Sequence, residues 1–532
     1  MAILKNLFVM AAGVQFAVSC QTWKIDCSSL ASHINFDAYN ATCHNATYHH
    51  PGEYSLTGLT GAFSNNVSFH EIHASVAYAE EAELIFAVWL PDKARYKDRF
   101  LAVGNGGYAG SIDRVNMLQQ LNSGLGFAIA GGDGGHDSWK ETNGTDSGTP
   151  GLYIPFLNHE ERTRAWLHNA VSIFTPLAEA ITKAAYGKKA QHKYFNGCSA
   201  GGGQAFALAE FHPRLFDGIM AGSPGNYQTH MWLSILWTFQ AQQGNGALPT
   251  EVLQFIAASV LEQCDGLDGV EDGVLENPLA CPFDVDVLAC EENEEPVTDD
   301  GRIVCLTADQ AGAAKAVYAG PRTSDSGEQL FPGFPPGGET NWIVPVLVGI
   351  ANGFAVPILQ NLIYKDLDWN PEAFNYTSLE VAEIDETGGP LTNAIGADLS
   401  AFRQNGGRIL STAGWVDPAI TPLSAVENRE RLQAGLKAGE NIDDFFRLFM
   451  IPGGGHCGAV NLPQTPGNWH VMVPLVDWVE SGVAPESILA TDPLDGSERT
   501  RKLCPWPKTA VFVGEDPDDW ESFECQELAK EP

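Results

Sequence analysis

A short β-favouring segment, Lys193-Tyr194-Phe195, runs into Gly197-Cys198-Ser199-Ala200-Gly201. A helix-forming stretch, Gln204-Ala205-Phe206-Ala207-Leu208-Ala209-Glu210, follows and is closed by Pro213. Strand, glycine turn, helix is a demanding arrangement. It holds a serine on a tight turn at the edge of a sheet, with its hydroxyl exposed and the next backbone N–H free to point at a developing oxyanion. The pentapeptide alone is a weak signal, because glycine-rich turns often contain serine; the flanking strand and helix give it meaning. A serine hydroxyl is a poor nucleophile until a base takes its proton, so the rest of the chain must supply that base.

Similar apolar runs recur on both sides of the turn. Leu84-Ile85-Phe86-Ala87-Val88-Trp89-Leu90 stops at Pro91, and Phe100-Leu101-Ala102-Val103 ends at Gly104. Gly126-Phe127-Ala128-Ile129-Ala130 opens into a glycine-rich loop that ends at His136, and Phe216-Asp217-Gly218-Ile219-Met220-Ala221-Gly222 follows the serine helix. Residues 408–414 and 446–451 are two more. Short apolar runs ending in glycine describe strands of a sheet buried on both faces. Apolar residues at helical spacing fill 160–187, with Gly187 at the C-cap position, and a further helix is expected over 469–480. From about 228 to about 400 the pattern changes to tryptophan-rich helices, acidic loops and many prolines and glycines.

A chain of 532 residues exceeds one ordinary core. The expected fold is α/β, an α/β-hydrolase core with a large inserted lid domain. Residues 1–19 read as a signal peptide, 20–227 and 401–532 as the catalytic domain, and 228–400 as the lid. No internal repeat is evident.

The N-terminus begins Met1-Ala2-Ile3-Leu4-Lys5, continues through an apolar run from Leu7 to Val18 and reaches Ser19-Cys20-Gln21, the layout of a secretory signal. The run is short for a bilayer span, and no later segment reads as a strong one; asparagines and a proline interrupt the surroundings of Phe354–Leu359. Asn-x-Ser/Thr sequons at Asn40, Asn45, Asn66, Asn143 and Asn375 suit a eukaryotic secretory route. The cysteines number 11; removal of Cys20 with the signal leaves an even set able to pair fully, whereas a lipidated Cys20 is the minor alternative. Lys and Arg total 30 against 66 Asp and Glu, a net charge of −36. Such a field repels nucleic acid and anionic membranes, so neither is an expected partner. Oligomeric state stays open.

In hydrolases with this serine turn the acid and then the histidine follow the serine along the chain. Gly414-Trp415-Val416-Asp417-Pro418 and Gly453-Gly454-Gly455-His456-Cys457 each follow a strand-like run in that order. His456 is the expected general base and then acid, with Asp417 fixing its tautomer and stabilising the imidazolium. Taken singly, Asp417 could be an Asp-Pro turn and His456 a loop histidine satisfied by water; the order of the three makes coincidence a poor account. His136 is a rival base, but it precedes Ser199. Ala200 N–H is one expected oxyanion donor, and Gly106 or Gly107 in Gly104-Asn105-Gly106-Gly107-Tyr108 the other. Cys198 and Cys457 stand directly beside the expected nucleophile and base, and a disulfide between them would fix the two segments together.

These motifs resemble the tannase and feruloyl esterase family, whose hallmark is Cys-Ser, Asp and His-Cys. The resemblance spans nearly the whole chain, through Gly104-Asn105-Gly106-Gly107, Tyr194 to Gly202, Phe216-Asp217-Gly218-Ile219, Gly414 to Asp417 and Pro452 to Cys457. It implies a hydrolase core, a large lid between Ser and Asp, and hydrolysis of phenolic acid esters, carried by small molecules or linked to polysaccharide. Gly203 departs from the family, where Arg often precedes Gln. Within the family, chain length and a fairly compact lid favour feruloyl esters of plant cell-wall polysaccharide over the galloyl esters of a tannase, with other aromatic esters also open. A non-catalytic secreted binding protein on a hydrolase scaffold is the rival of a different class.

The lid segment Cys264-Asp265-Gly266-Leu267-Asp268-Gly269-Val270-Glu271-Asp272-Gly273-Val274 sets carboxylates between glycines, a pattern that suits a hard cation such as Ca²⁺ or a solvated acidic turn equally. By resemblance to the family's lid site, Asp265, Asp268 and Asp272 give carboxylates and Val270 and Val274 carbonyls to a structural calcium ion. Cys264 and Cys281 bracket the loop and are expected to pair. Cys290–Cys305, Cys504–Cys525 and Cys27–Cys43 are the other local pairings expected. Trp232, Trp237 and Trp342 are read as lid core rather than as site residues.

Overall fold

Phe100 and Ala102 belong to one apolar core and Leu101 and Val103 to another, because this strand is buried on both faces and successive side chains point to opposite sides. It lies inside a nine-stranded sheet. In chain order the strands are β1 (Ala41–His49), β2 (Phe69–Ala79), β3 (Ala82–Pro91), β4 (Arg99–Val103), β5 (Phe127–Gly132), β6 (His192–Cys198), β7 (Gly218–Gly222), β8 (Arg408–Gly414) and β9 (Phe446–Ile451). Their spatial order is β1-β2-β3-β5-β4-β6-β7-β8-β9. Pairings from β1 to β5 are antiparallel except β4 with β5, and every later pairing is parallel. The computed structural model describes residues 23–58, 61–292, 295–297, 301–458, 465–493 and 495–527. The expected signal segment and Cys20 lie outside the described residues.

Register aligns the ends that matter. Cys198 lies opposite Gly222, Gly222 opposite Thr412, and Gly414 opposite Ile451. The carboxyl ends of β6, β7, β8 and β9 therefore share one edge, and the loops leaving them converge. Helix α1 (Ala170–Tyr186) covers one face with Phe174, Leu177, Ala178 and Ile181. The serine helix, α2 (Ala200–Phe211), is on the same side, and the C-terminal helix Met472–Ser481 covers the other face with Leu475 and Val476. Gly187 takes φ 78° and ends α1 in the left-handed conformation that favours glycine. Ahead of α1, residues Ala165–Asn169 form a π-turn, which apolar spacing alone does not reveal.

Among the described residues, 228–400 adds no strand to the main sheet. It contributes helices α3 (Gln228–Ala241), α4 (Thr250–Cys264), α5 (Ala308–Ala319) and α6 (Ser378–Thr392). Val346–Ile363 is helical and, by length and composition alone, apolar enough to cross a membrane, with mean hydropathy 1.7; 67% of it is buried inside the protein. The asparagine that disguises it in the sequence is buried and used. Asn361 donates to the carbonyls of Leu152 and Pro357 and accepts from Ile154 N–H. Trp342, 1% exposed, belongs to a core made within 228–400, whereas Trp232, also 1% exposed, packs in a core shared with Phe156, Trp166, Leu167 and Ala200, and Trp237 is partly buried against it. Five disulfides join Cys27–Cys43, Cys198–Cys457, Cys264–Cys281, Cys290–Cys305 and Cys504–Cys525, the five pairs expected from the sequence.

Candidate active site

Ser199 stands between β6 and α2 with φ 62° and ψ −120°, a backbone conformation sparsely populated by any residue with a side chain. Two bonds hold this strained turn. Its N–H donates to Gly222 O at 3.0 Å, and its carbonyl accepts from Gly225 N–H at 3.0 Å. Glycine at 201 is required by close approach, since a Cβ there would lie 2.8 Å from Asn105 O. At Gly203 a Cβ would meet Gly225 O at 2.5 Å, so a larger residue at this position would demand a shift of the Gly225 segment.

Asp417 leaves the end of β8 and is 2% exposed. Its Oδ1 accepts from the N–H groups of Ala419 and Ile420, at 2.8 and 3.1 Å, and its Oδ2 meets His456 Nδ1 at 2.7 Å. The carboxylate is thereby fixed by its own loop and aimed at the imidazole. Burial of His456 disfavours its charged form, but the Asp417 charge and hydrogen bond outweigh that and raise its pKa above the ordinary histidine value. With Nδ1 committed to Asp417, Nε2 is the nitrogen left for a reacting group. The His456 side chain is 27% exposed, so that face is reachable.

The Cys198–Cys457 bond, with Cα atoms 5.7 Å apart, links residues 259 positions distant and flanks Ser199 on one side and His456 on the other. Ser223, which the sequence did not flag, joins the same junction by accepting from Cys457 N–H at 3.4 Å. His136 lies elsewhere. It is 4% exposed, stacks on Phe156 at 3.8 Å, and burial drives its pKa down to about 3. Such a ring stays neutral inside the protein and is not a second base at the Ser199 turn.

The early loop presents free amides next to the serine helix. Tyr108 N–H donates to Asp146 O and Ala109 N–H to Gly106 O, whereas among the described residues Gly106 and Gly107 N–H have no protein acceptor. Ala200 N–H, in the first turn of α2, has no intrahelical acceptor either.

In the lid, Asp265 accepts from Gly273 N–H, Asp268 Oδ1 from Val270 N–H, and Asp272 Oδ1 from Val274 N–H. Among the described residues no three His, Cys, Asp or Glu side chains converge as a ready-made metal cluster. Asp268 Oδ2, however, is buried without a hydrogen-bond donor. The set is all oxygen, and a buried carboxylate oxygen with no hydrogen bond, 3.7 Å from the Arg501 guanidinium, fits a hard cation. The sequence reading missed the basic partner of this loop: Arg501, 4% exposed, bonds Asp272 at 2.8 Å and Glu276 at 3.1 Å, and Arg499 also reaches Asp272.

A family model described as tannase and feruloyl esterase matches residues 70–526. Feruloyl esterase C of Talaromyces stipitatus is 31% identical over 464 residues, covering 84% of this chain and 82% of its own. The crystal structure of feruloyl esterase B from Aspergillus oryzae superposes with a TM-score of 0.79 at 25% identity, covering 94% of this chain and 99% of the other. Tannin acyl hydrolase from Aspergillus niger, at 19% identity and a TM-score of 0.72 over 94% of each chain, shares the fold.

Proposed function

The chain belongs to the tannase and feruloyl esterase family and is a carboxylic ester hydrolase, and from that premise we propose that it is secreted and cleaves feruloyl and related hydroxycinnamoyl esters of plant cell-wall polysaccharide through a serine acyl-enzyme. The observation that carries the mechanism is the 2.7 Å bond from His456 Nδ1 to Asp417, on a loop covalently tied to the residue before Ser199. Ser199 Oγ attacks the ester carbonyl as His456 Nε2 takes its proton. Ala200 N–H and the N–H of Gly106 or Gly107 hold the oxyanion, and His456 returns the proton to the leaving alcohol. Water, deprotonated by His456, then attacks the acyl-enzyme and releases the acid. Removing one oxyanion donor costs roughly 2.7–4 kcal/mol of transition-state stabilisation.

Substrate choice rests on the feruloyl esterase relatives and on the field of the chain, which disfavours polyanions. Secretion is supported by five disulfides, which persist in oxidising compartments, and by the exposure of Asn40, Asn45, Asn66, Asn143 and Asn375, the proposed glycan acceptors. In the lid, Asp265, Asp268 and Asp272 with the carbonyls of Val270 and Val274 would hold a calcium ion, whose chemistry is structural: it neutralises buried carboxylates away from the reacting ester.

Ser199→Ala is expected to lower turnover of methyl ferulate by several orders of magnitude with the fold intact, and near-wild-type turnover would sink the assignment. Kinetics on methyl ferulate, caffeate, p-coumarate and gallate test the substrate class. Preference for gallate would replace the feruloyl reading with that of a tannase.

A further inference from the structure

The oxyanion loop and the nucleophile are joined by a buried pair of amides that the mechanism above does not use. Gln204 lies five residues after Ser199 on α2 and is 1% exposed; Asn105 lies just before Gly106 and is 4% exposed. Gln204 Oε1 accepts from Asn105 N–H at 3.1 Å, and its Nε2 donates to Asn105 Oδ1 at 3.3 Å and to Trp166 O at 2.7 Å. Asn105 Nδ2 in turn donates to Ser111 O at 2.9 Å and Gly132 O at 2.7 Å. Every amide hydrogen of both side chains is used, as burial demands. Trp166 extends the network by donating its indole N–H to Gly107 O at 3.0 Å.

The consequence is a choice among backbone donors. Asn105 N–H is consumed by Gln204 and Tyr108 N–H by Asp146, which leaves the two amides between them, those of Gly106 and Gly107, without an acceptor. The same bond draws the loop onto the first turn of α2, where a Cβ at Gly104 would lie 2.8 Å from Gln204 Oε1 and 3.1 Å from Gly201 Cα. We propose that Gln204, acting with Asn105, is a positioning residue that anchors the oxyanion-binding loop to the nucleophile's own helix and restricts its donor to the N–H of Gly106 or Gly107. It touches neither substrate nor reacting atoms. The proposal rests on the serine mechanism above and deepens it.

A donor held in place before the reaction stabilises charge that exists only in the transition state, so its displacement should appear in kcat and not in KM. The test uses the full-length protein with Gln204→Glu, nearly isosteric but lacking the two Nε2 donors, and Gln204→Met, which lacks every polar contact. Both are normalised to folded protein by near-ultraviolet circular dichroism. Trp166→Phe removes only the indole bond to Gly107 O and is the mild probe should either prove unstable. Expected for the Gln204 variants is a fall in kcat on methyl ferulate of about 30-fold or more with KM within about threefold. Binding of an arylboronic acid, which forms a tetrahedral adduct on Ser199, should weaken by a similar factor while inhibition by free ferulate holds. For Trp166→Phe a loss in kcat of about threefold to tenfold is expected. Wild-type kcat in the folded variants, or a change confined to KM, would overturn the proposal. If Ser199→Ala stays active, the underlying mechanism falls; if it is inactive while the Gln204 and Trp166 variants turn over normally, only the positioning role falls.

Discussion

Two disulfide-braced acidic loops use similar ingredients to different ends. At the carboxyl edge of the sheet, Cys198–Cys457 spans 259 residues and sits beside a buried Asp417 whose partner, His456, is 27% exposed. In the lid, Cys264–Cys281 spans 17 residues and closes a loop whose Asp268, Asp272 and Glu276 side chains are 8, 6 and 4% exposed under a buried Arg501. In each loop carboxylates rest on backbone amides. The chain of hydrogen bonds at the first ends on a titratable ring that is partly open to solvent. At the second it ends on a guanidinium sealed inside the protein. A buried carboxylate becomes chemically useful when the last group it polarises is open, and it stays structural when that group is enclosed.

The largest expected effect lies at the open end. Asp417→Asn keeps the shape of the loop but removes the charge that orients His456, and kcat should fall by about 10⁴-fold. The pH profile sharpens the test. In the proposed mechanism His456 must be neutral to take the Ser199 proton, so kcat/KM is expected to rise with pH through its pKa, which Asp417 raises. Asparagine abolishes that influence and leaves burial, which favours the neutral ring, so the acid limb should move to lower pH. A limb that stays in place would mean another group sets it. For stability the sign is reversed: a pKa raised on folding contributes stability below the ordinary histidine value, and that contribution is lost as pH rises through the folded-state value.

The disulfides come next. Replacing Cys198 and Cys457 with serine should cost up to about 5 kcal/mol, against about 3 kcal/mol for Cys264 and Cys281, because the closed loops differ so much in length. Only the first replacement should also depress kcat, since only it frees the segments that carry Ser199 and His456. Thermal melts and steady-state kinetics on the two double variants separate these readouts. An equal fall in kcat in both would erase the distinction between an open and a sealed loop.

The central strands and the chain order Ser199, Asp417, His456 were legible because strands buried on both faces read as continuous apolar runs ending in glycine. The first two strands were not. In β2, His70, Glu71 and Ser75 are buried, and Glu71 is matched by His73 on its own strand and by His49 and Trp89 from the two neighbouring strands, so its polar letters conceal a core strand. β1 has no buried residue, carries the sequon asparagine Asn45 with Asn40 just ahead of it, and reads as loop. The same holds at the site. Ser199, Asp417 and His456 stand in local motifs that the sequence displays, whereas Asn105 with Gln204, 99 residues apart, and Asp272 with Arg501, 229 apart, pair through tertiary structure that spacing does not encode.

The smallest expected effect probes the sealed loop. If Asp265, Asp268 and Asp272 hold a calcium ion, chelation removes a ligand that binds only the folded loop, and stability falls by about 2.7 kcal/mol for an ion present at 100 times its Kd. In a chain of this size that is a drop of only a few degrees in Tm, restored by added Ca²⁺. Turnover of methyl ferulate measured well below the transition should be unchanged. Arg501→Met adds a second reading, because it strands Asp272 and Glu276 without their shared cation. It should lower Tm in the presence of calcium and make chelation more damaging, as Arg499 and the ion are then the neutralising charges beside Asp272. A Tm indifferent to chelator in both proteins would show that arginine alone balances the loop. A loss of kcat on chelation at low temperature would show instead that the lid loop reaches the reacting ester.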